Sequence, residues 1–255
     1  MDSFWNSLVA DARAAAGSNP FARPAIRRML GAGAAAGLAR LAAVTLGGSM
    51  FERGFRARAF AARLEQDEGA LLDARRDLEA VMACDPACRM PYQAALHYKG
   101  FHALLAHRIA HGWWKSDEME SARHLNYLAS LRFGVDIHPG ARLAGGVFLD
   151  HGTGIVIGET AAVEEGSILM QGVTLGGTGK ERGDRHPKLG KGVYVGAGAK
   201  LLGNIRIGPG ARIGAGSVVL RDVPDGATVV GVPGRIVREP VHSGRSSSGS
   251  GQSSR

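Results

Sequence analysis

Residues 135–175 read VDIHPGARLAGGVFLDHGTGIVIGETAAVEEGSILMQGVTL, and the spacing of their aliphatic residues decides the fold. Ile137, Leu143 and Leu149 stand six apart, as do Ile157, Val163, Leu169 and Leu175. The same step resumes at Leu189 and continues through Val195, Leu201, Ile207, Ile213 and Val219. Two positions before most of these sits another small or aliphatic residue, such as Ala141, Val147, Ile155 or Val193. Three positions after many comes glycine or asparagine, as at Gly146, Gly166 and Asn204. Each hexad therefore predicts a short strand with two inward side chains, followed by a turn that accepts unusual dihedrals. Three hexads close a triangular coil, and stacked coils bury one continuous apolar column.

The repeat breaks twice. Leu149 to Ile157 is a step of eight, with the extra residues beside Asp150, His151 and Gly152. Leu175 to Leu189 is a step of fourteen, which sends GGTGKERGDRHPK (residues 176–188) out of the column and back. Regular coils supply rigidity, whereas insertions carry function. Both breaks contain a histidine next to a charged residue.

Outward from this stretch the composition changes. Of 38 glycines, 27 lie at or after Gly140, so two architectures meet near Gly134. Before that point, runs such as Phe55–Met82 carry apolar residues at helical spacing, which predicts a helical bundle or docking domain. Residues Met29–Met50 are rich in Ala, Gly and Leu and about long enough to span a bilayer, but Arg40 in mid-segment argues for a packed helix instead. The N-terminus carries Asp2 and Asp11 and lacks the apolar stretch of a signal peptide. The net charge of +8 is spread over both halves, with no basic run interleaved with aromatics, which argues against a nucleic-acid binder. Cys84 and Cys88 form neither a zinc quartet nor a disulfide framework, so a reducing, cytoplasmic setting is expected.

The candidate chemistry sits at the breaks. His151 projects from a turn and suits a general base near neutral pH, or is a surface histidine at a corner. Asp136, nearly one coil earlier, is the obvious orienting partner for that imidazole, or a solvated corner carboxylate. Arg185 offers a planar fork for a carboxylate and His186 a further donor or acceptor, unless this is simply a charged loop. His138, His151 and His186 supply enough histidines for a zinc site between subunits, but show no close pair on adjacent hexads. Two glycine-rich near-matches fail. LGGTGKE has Thr174 and Glu181 where a phosphate loop needs Gly and Ser/Thr, and GAGAKL lacks the third dinucleotide glycine.

The segments VDIHPGARL, FLDHGTGIVIGETA, VTLGGTGKERGDRHPK, GAGAKLLGNI and IGAGSVVLRDVP…GVPGRIV, with CDPA and YKGFHALLAHRIAH upstream, resemble the bacterial serine O-acetyltransferases, hexapeptide-repeat acyltransferases of cysteine biosynthesis. DHGTG, GET and GDRHPK together are specific within that superfamily. The likeness is dense from Asp85 to Val237 and faint before it. Composition alone predicts a disordered Ser/Gly-rich tail over 241–255, a departure from the family. The likeness implies an α+β chain: an α-helical domain over residues 1–134 and a left-handed parallel β-helix over 135–240. It further implies trimers, or dimers of trimers, with active sites between neighbouring β-helices. By motif, His151 is the base and Asp136 its partner. Asp85 and Asp150 take the serine ammonium, Arg185 its carboxylate and His186 its hydroxyl. Acetyl-CoA, a co-substrate rather than a resident cofactor, lies near Gly177, Ala197 and Ala215, and no metal is needed. A sugar or other small hydroxylated acceptor is the rival substrate, and Asp85 with Arg185 separates the two. Cysteine is expected as a feedback inhibitor, since it shares serine's ammonium and carboxylate. Members that assemble a cysteine synthase complex end in isoleucine. This chain ends VHSGRSSSGSGQSSR, so docking by that route is not expected.

Overall fold

The computed structural model describes residues 2–17, 26, 33–180 and 182–238. The tail at 241–255 and part of the Met29–Met50 segment lie outside the described residues. The helices are α1 (Asp2–Ala16), α2 (Ala34–Thr45), α3 (Met50–Glu65), α4 (Glu68–Cys84), α5 (Pro91–His97), α6 (Lys99–Lys115) and α7 (Met119–Phe133). The helical run around Phe55–Met82 divides between α3 and α4, because the Asp67 side chain accepts the Ala70 N–H (3.0 Å) and starts a new helix. Helix α2 has only 12 residues and Arg40 is exposed on it; among the described residues no helix is long and apolar enough to cross a membrane. Helix α6 is the central one, buried continuously from Gly100 to Ala110.

After α7 the chain forms three parallel ladders, which are the faces of a triangular β-helix. The first face stacks β1 (Asp136–Ile137), β4 (Val156–Ile157), β7 (Thr174–Gly176), β10 (Lys200–Leu202) and β13 (Val218–Val219). The second stacks β2 (Arg142–Leu143), β5 (Ala162–Val163), β8 (Lys188–Leu189) and β11 (Arg206–Ile207). The third stacks β3 (Phe148–Leu149), β6 (Ile168–Leu169), β9 (Tyr194–Val195), β12 (Arg212–Ile213) and β14 (Thr228–Val230), closed by the antiparallel β15 (Arg235–Arg238). All thirteen period-six aliphatic residues are buried, none more than 8% exposed. Each contributes roughly 1.5–3 kcal/mol of burial, so the column fixes the register of every coil.

The helices and coils share one hydrophobic core, in which Leu78, Phe101 and Leu105 join Val147 and Leu149. Two devices tie them. Gly134 ends α7 in the left-handed conformation (φ 64°, ψ 32°) and turns the chain into β1. Arg108 of α6 forms a buried bidentate pair with Asp77 of α4 (2.7 and 2.8 Å) and also donates to the carbonyls of Leu143 and Ala144 in the first coil. Asp77 Oδ1 in turn accepts the Gly146 and Val147 N–H groups. Every polar atom of this ion pair has a partner, the condition under which a buried pair holds two elements together.

Candidate active site

The eight-residue step places Asp150 and His151 at the corner between the third and first faces. His151 adopts a left-handed backbone conformation (φ 56°), uncommon for a residue with a side chain. Its side chain is 71% exposed, and Nε2 lies 3.8 Å from Asp150 Oδ1. The corner continues up the prism as a stack of small residues. The Gly172 N–H donates to Thr153, Gly198 to Gln171 and Gly216 to Ala197, each at 2.8 Å. Ala197 and Ala215 therefore line the edge that leads to His151.

The helical half backs this corner. Lys99 donates to the Thr153 hydroxyl. A side chain at Gly100 would run into the Leu149 carbonyl, so only glycine lets α6 approach so closely. At the end of α4, Asp85 accepts the Ala87 N–H (2.8 Å) and the Tyr98 hydroxyl (2.7 Å). Burial, then the Asp85 carboxylate, pushes the Tyr98 phenol above its ordinary range, so it remains a donor. Asp136 is exposed and accepts from Asn126 Nδ2 (3.1 Å); among the described residues no hydrogen bond or ion pair links it to His151.

The fourteen-residue step occupies the next corner, between the first and second faces, and it is ordered by residues of the coil beneath. Arg185 pairs with Glu159 (2.7 Å), whose carboxyl is held below its usual range by that guanidinium. The Thr160 hydroxyl accepts the N–H groups of Arg185 (3.0 Å) and His186 (3.1 Å). His186 is 7% exposed and its ring lies on Gly158, where a Cβ would overlap it. Burial, then Arg185 and Lys188, lowers the His186 pKa, which keeps the ring neutral. Lys188 ties the loop further through Asp184 and the His186 carbonyl, both at 2.6 Å. Gly177 packs under this loop, against Arg185 and His186.

The single chain thus gathers the predicted residues into two groups rather than one. Asp150 and His151 belong to one corner, with Asp136 at the start of β1, and Asp85 is tied to Tyr98, beside the Lys99 that reaches Thr153 there. Arg185, His186 and Gly177 belong to the other, at the opposite end of the first-face strands. His138 lies on the second corner, its Nδ1 accepting the Gly140 N–H (3.0 Å), so the three histidines considered for zinc do not meet within the chain. Among the described residues no three potential metal ligands converge. Gly158, Glu159, Thr160, Tyr98 and Gly100 were not singled out from sequence by role. The GET residues had a readable signal: counted in threes, the hexads put them one coil below the excursion.

Comparison with known proteins agrees with this architecture. Residues 4–106 match the family model for the N-terminal part of serine acetyltransferases, and residues 186–221 match the bacterial transferase hexapeptide model. A serine acetyltransferase of Synechococcus elongatus is 55% identical over 161 residues, covering 63% of this chain and 66% of its own length. Serine acetyltransferase 2 of Arabidopsis thaliana is 50% identical over 172 residues, 68% of this chain and 53% of the relative. The matched stretch thus spans between about half and two thirds of these curated relatives. The crystal structure of the Neisseria gonorrhoeae serine acetyltransferase superposes with a TM-score of 0.89 at 42% identity, covering 92% of this chain and 91% of that one. The chain belongs to the serine acetyltransferase family. The family's left-handed parallel β-helix is therefore the fold of the coils. The N-terminal family model reaches back to residue 4, while the curated relatives align over 161 to 178 residues of this chain. The Brucella abortus serine acetyltransferase in complex with coenzyme A superposes with the same TM-score at 41% identity, covering 94% of this chain and 96% of that one.

Proposed function

We propose that this chain transfers the acetyl group of acetyl-CoA to the hydroxyl of L-serine, giving O-acetylserine and CoA. The observation that supports it most directly is the pair of corners, one presenting an exposed imidazole 3.8 Å from the Asp150 carboxylate and the other a guanidinium beside a buried histidine. Together they match an amino-acid acceptor, which carries an ammonium, a carboxylate and a hydroxyl. Since the corners stand apart within one chain, the site forms where the first corner of one subunit meets the second corner of its neighbour. A cyclic trimer, alone or as a dimer of trimers, is the simplest assembly that pairs every corner.

In this reading Asp85 and Asp150 hold the serine ammonium, Arg185 its carboxylate, and His186 lies at the hydroxyl. His151 removes the hydroxyl proton as the oxygen attacks the thioester carbon. The tetrahedral intermediate collapses, the C–S bond breaks, and the CoA thiolate takes its proton from His151. Asp136 orients the imidazole, and the exposed His151 side chain is free to rotate toward it. The pantetheine arm of acetyl-CoA follows the edge of small residues at Ala197 and Ala215, with Gly177 supplied by the excursion loop. No metal takes part. The setting is the cytoplasm, and cysteine competes for the groups that hold serine. The test is thiol release from acetyl-CoA by purified protein with and without L-serine. Release that depends on serine is expected. Release that ignores serine but responds to a sugar acceptor would overturn the assignment of Asp85 and Arg185.

A further inference from the structure

We infer that Thr160 is a positioning residue that holds His186 as its Nε2–H tautomer, so that His186 acts as a fixed hydrogen-bond donor to the acceptor substrate and never as a second base. The inference rests on the proposed role of the Arg185–His186 corner in acceptor binding. A hydroxyl has one proton and two lone pairs. At Thr160 both lone pairs are taken, by the Arg185 N–H at 3.0 Å and the His186 N–H at 3.1 Å. The remaining proton is within reach of His186 Nδ1, 2.9 Å away, and of the Asp184 carboxylate. The Thr160 amide also donates to Nδ1, at 3.2 Å, and an amide N–H is a donor under all conditions. Nδ1 offers a single in-plane lone pair and the amide takes it, so the ring proton resides on Nε2.

The other end of the ring is left open. Among the described residues Nε2 has no hydrogen-bond partner, and the surfaces it faces are Gly158 and Gly177, where a Cβ would overlap it or stand 3.6 Å from it. The charges around the ring come from both elements. Arg185 and Lys188 of the loop oppose protonation, Glu159 of the coil beneath favours it, and His138 lies nearby. Asp184 pairs with Lys188 at 2.6 Å and also accepts from the Thr160 hydroxyl, so the amide is the donor at Nδ1 that no other acceptor contests. The amide therefore sets the tautomer and the hydroxyl holds the backbone of both substrate-facing residues, leaving one directed N–H.

The test compares wild type with Thr160→Val and Thr160→Ser in the full chain. Nitrogen NMR of histidine-labelled protein without substrate, assigned with His186→Asn, is expected to show an unprotonated Nδ1 and a protonated Nε2 at neutral pH. A protonated Nδ1 overturns the inference, whatever the activity proves to be. In turnover, Thr160→Val is expected to lower kcat/KM for serine about 10- to 100-fold, with KM for acetyl-CoA changed less than about 2-fold. Thr160→Ser is expected to restore serine kcat/KM to within about 3-fold of wild type, since it returns the hydroxyl. Equal loss in both variants, or a loss shared by both substrates, indicates a merely structural role and defeats the proposal. Absence of serine-dependent turnover in wild type counts against the activity reading alone, because the NMR result stands apart from it.

Discussion

The two corners of the first face hold their histidines in opposite ways. His151 is exposed, sits in a left-handed turn, and has one weak neighbour at 3.8 Å. His186 is buried, ordinary in backbone, and clamped through Nδ1 by both polar groups of Thr160. A base must accept a proton and surrender it, so it needs freedom and access to water. A donor must hold one orientation, so it needs a tautomer fixed by its surroundings. The difference teaches that residue type alone does not assign a role; hydrogen-bond occupancy does.

The contrast is broken most severely if the free histidine proves dispensable. His151→Ala is expected to lower kcat by roughly two to four orders of magnitude with folding preserved, measured by thiol release and circular dichroism. Near-normal turnover would remove the distinction. A smaller effect separates functional from structural histidines by pH. His102 of α6 is buried against the Ala95 carbonyl, and burial pushes its pKa down to about 4. The unfolded chain binds this proton near pH 6.5, the folded chain only near pH 4. Its contribution is therefore complete above about pH 6.5 and is lost as pH falls toward 4, on the order of 3 kcal/mol. His107, on the same helix and also lowered by burial, acts in the same direction. Urea midpoints at pH 7.5 and pH 5 should diverge, and His102→Gln should reduce the gap. An unchanged gap would show that His102 does not titrate on unfolding. The smallest expected effect concerns the strained turn. His151→Gly is expected to raise unfolding stability by up to about 1 kcal/mol while abolishing activity, since glycine takes φ 56° without steric cost. Lower stability in that variant would mean that the turn is relaxed and that its conformation is unrelated to function.

Much of this was legible beforehand. The column from Ile137 to Val219 was read residue by residue, because burial on a two-residue strand imposes a period that polar residues cannot imitate. The two insertions were also visible as failures of that period, and they carry the residues named for chemistry. Less legible was the helical half, where alanine-rich packing leaves no motif, and the partner of Asp136. Fifteen residues of separation brings Asp136 near His151, but the hydrogen bond it makes in this structure goes to Asn126 of α7.

The sequence by itself determined the β-helix and its register, since these follow from hydrophobic spacing, and it marked the two breaks where the proposed chemistry sits. Only the tertiary structure decided that Asp77 and Arg108 lock the helices to the first coil and that Thr160 meets His186 at Nδ1. Those outcomes depend on groups distant in the chain, such as Thr160 and His186 or Asp77 and Gly146, whose contact exists only once the coils have stacked.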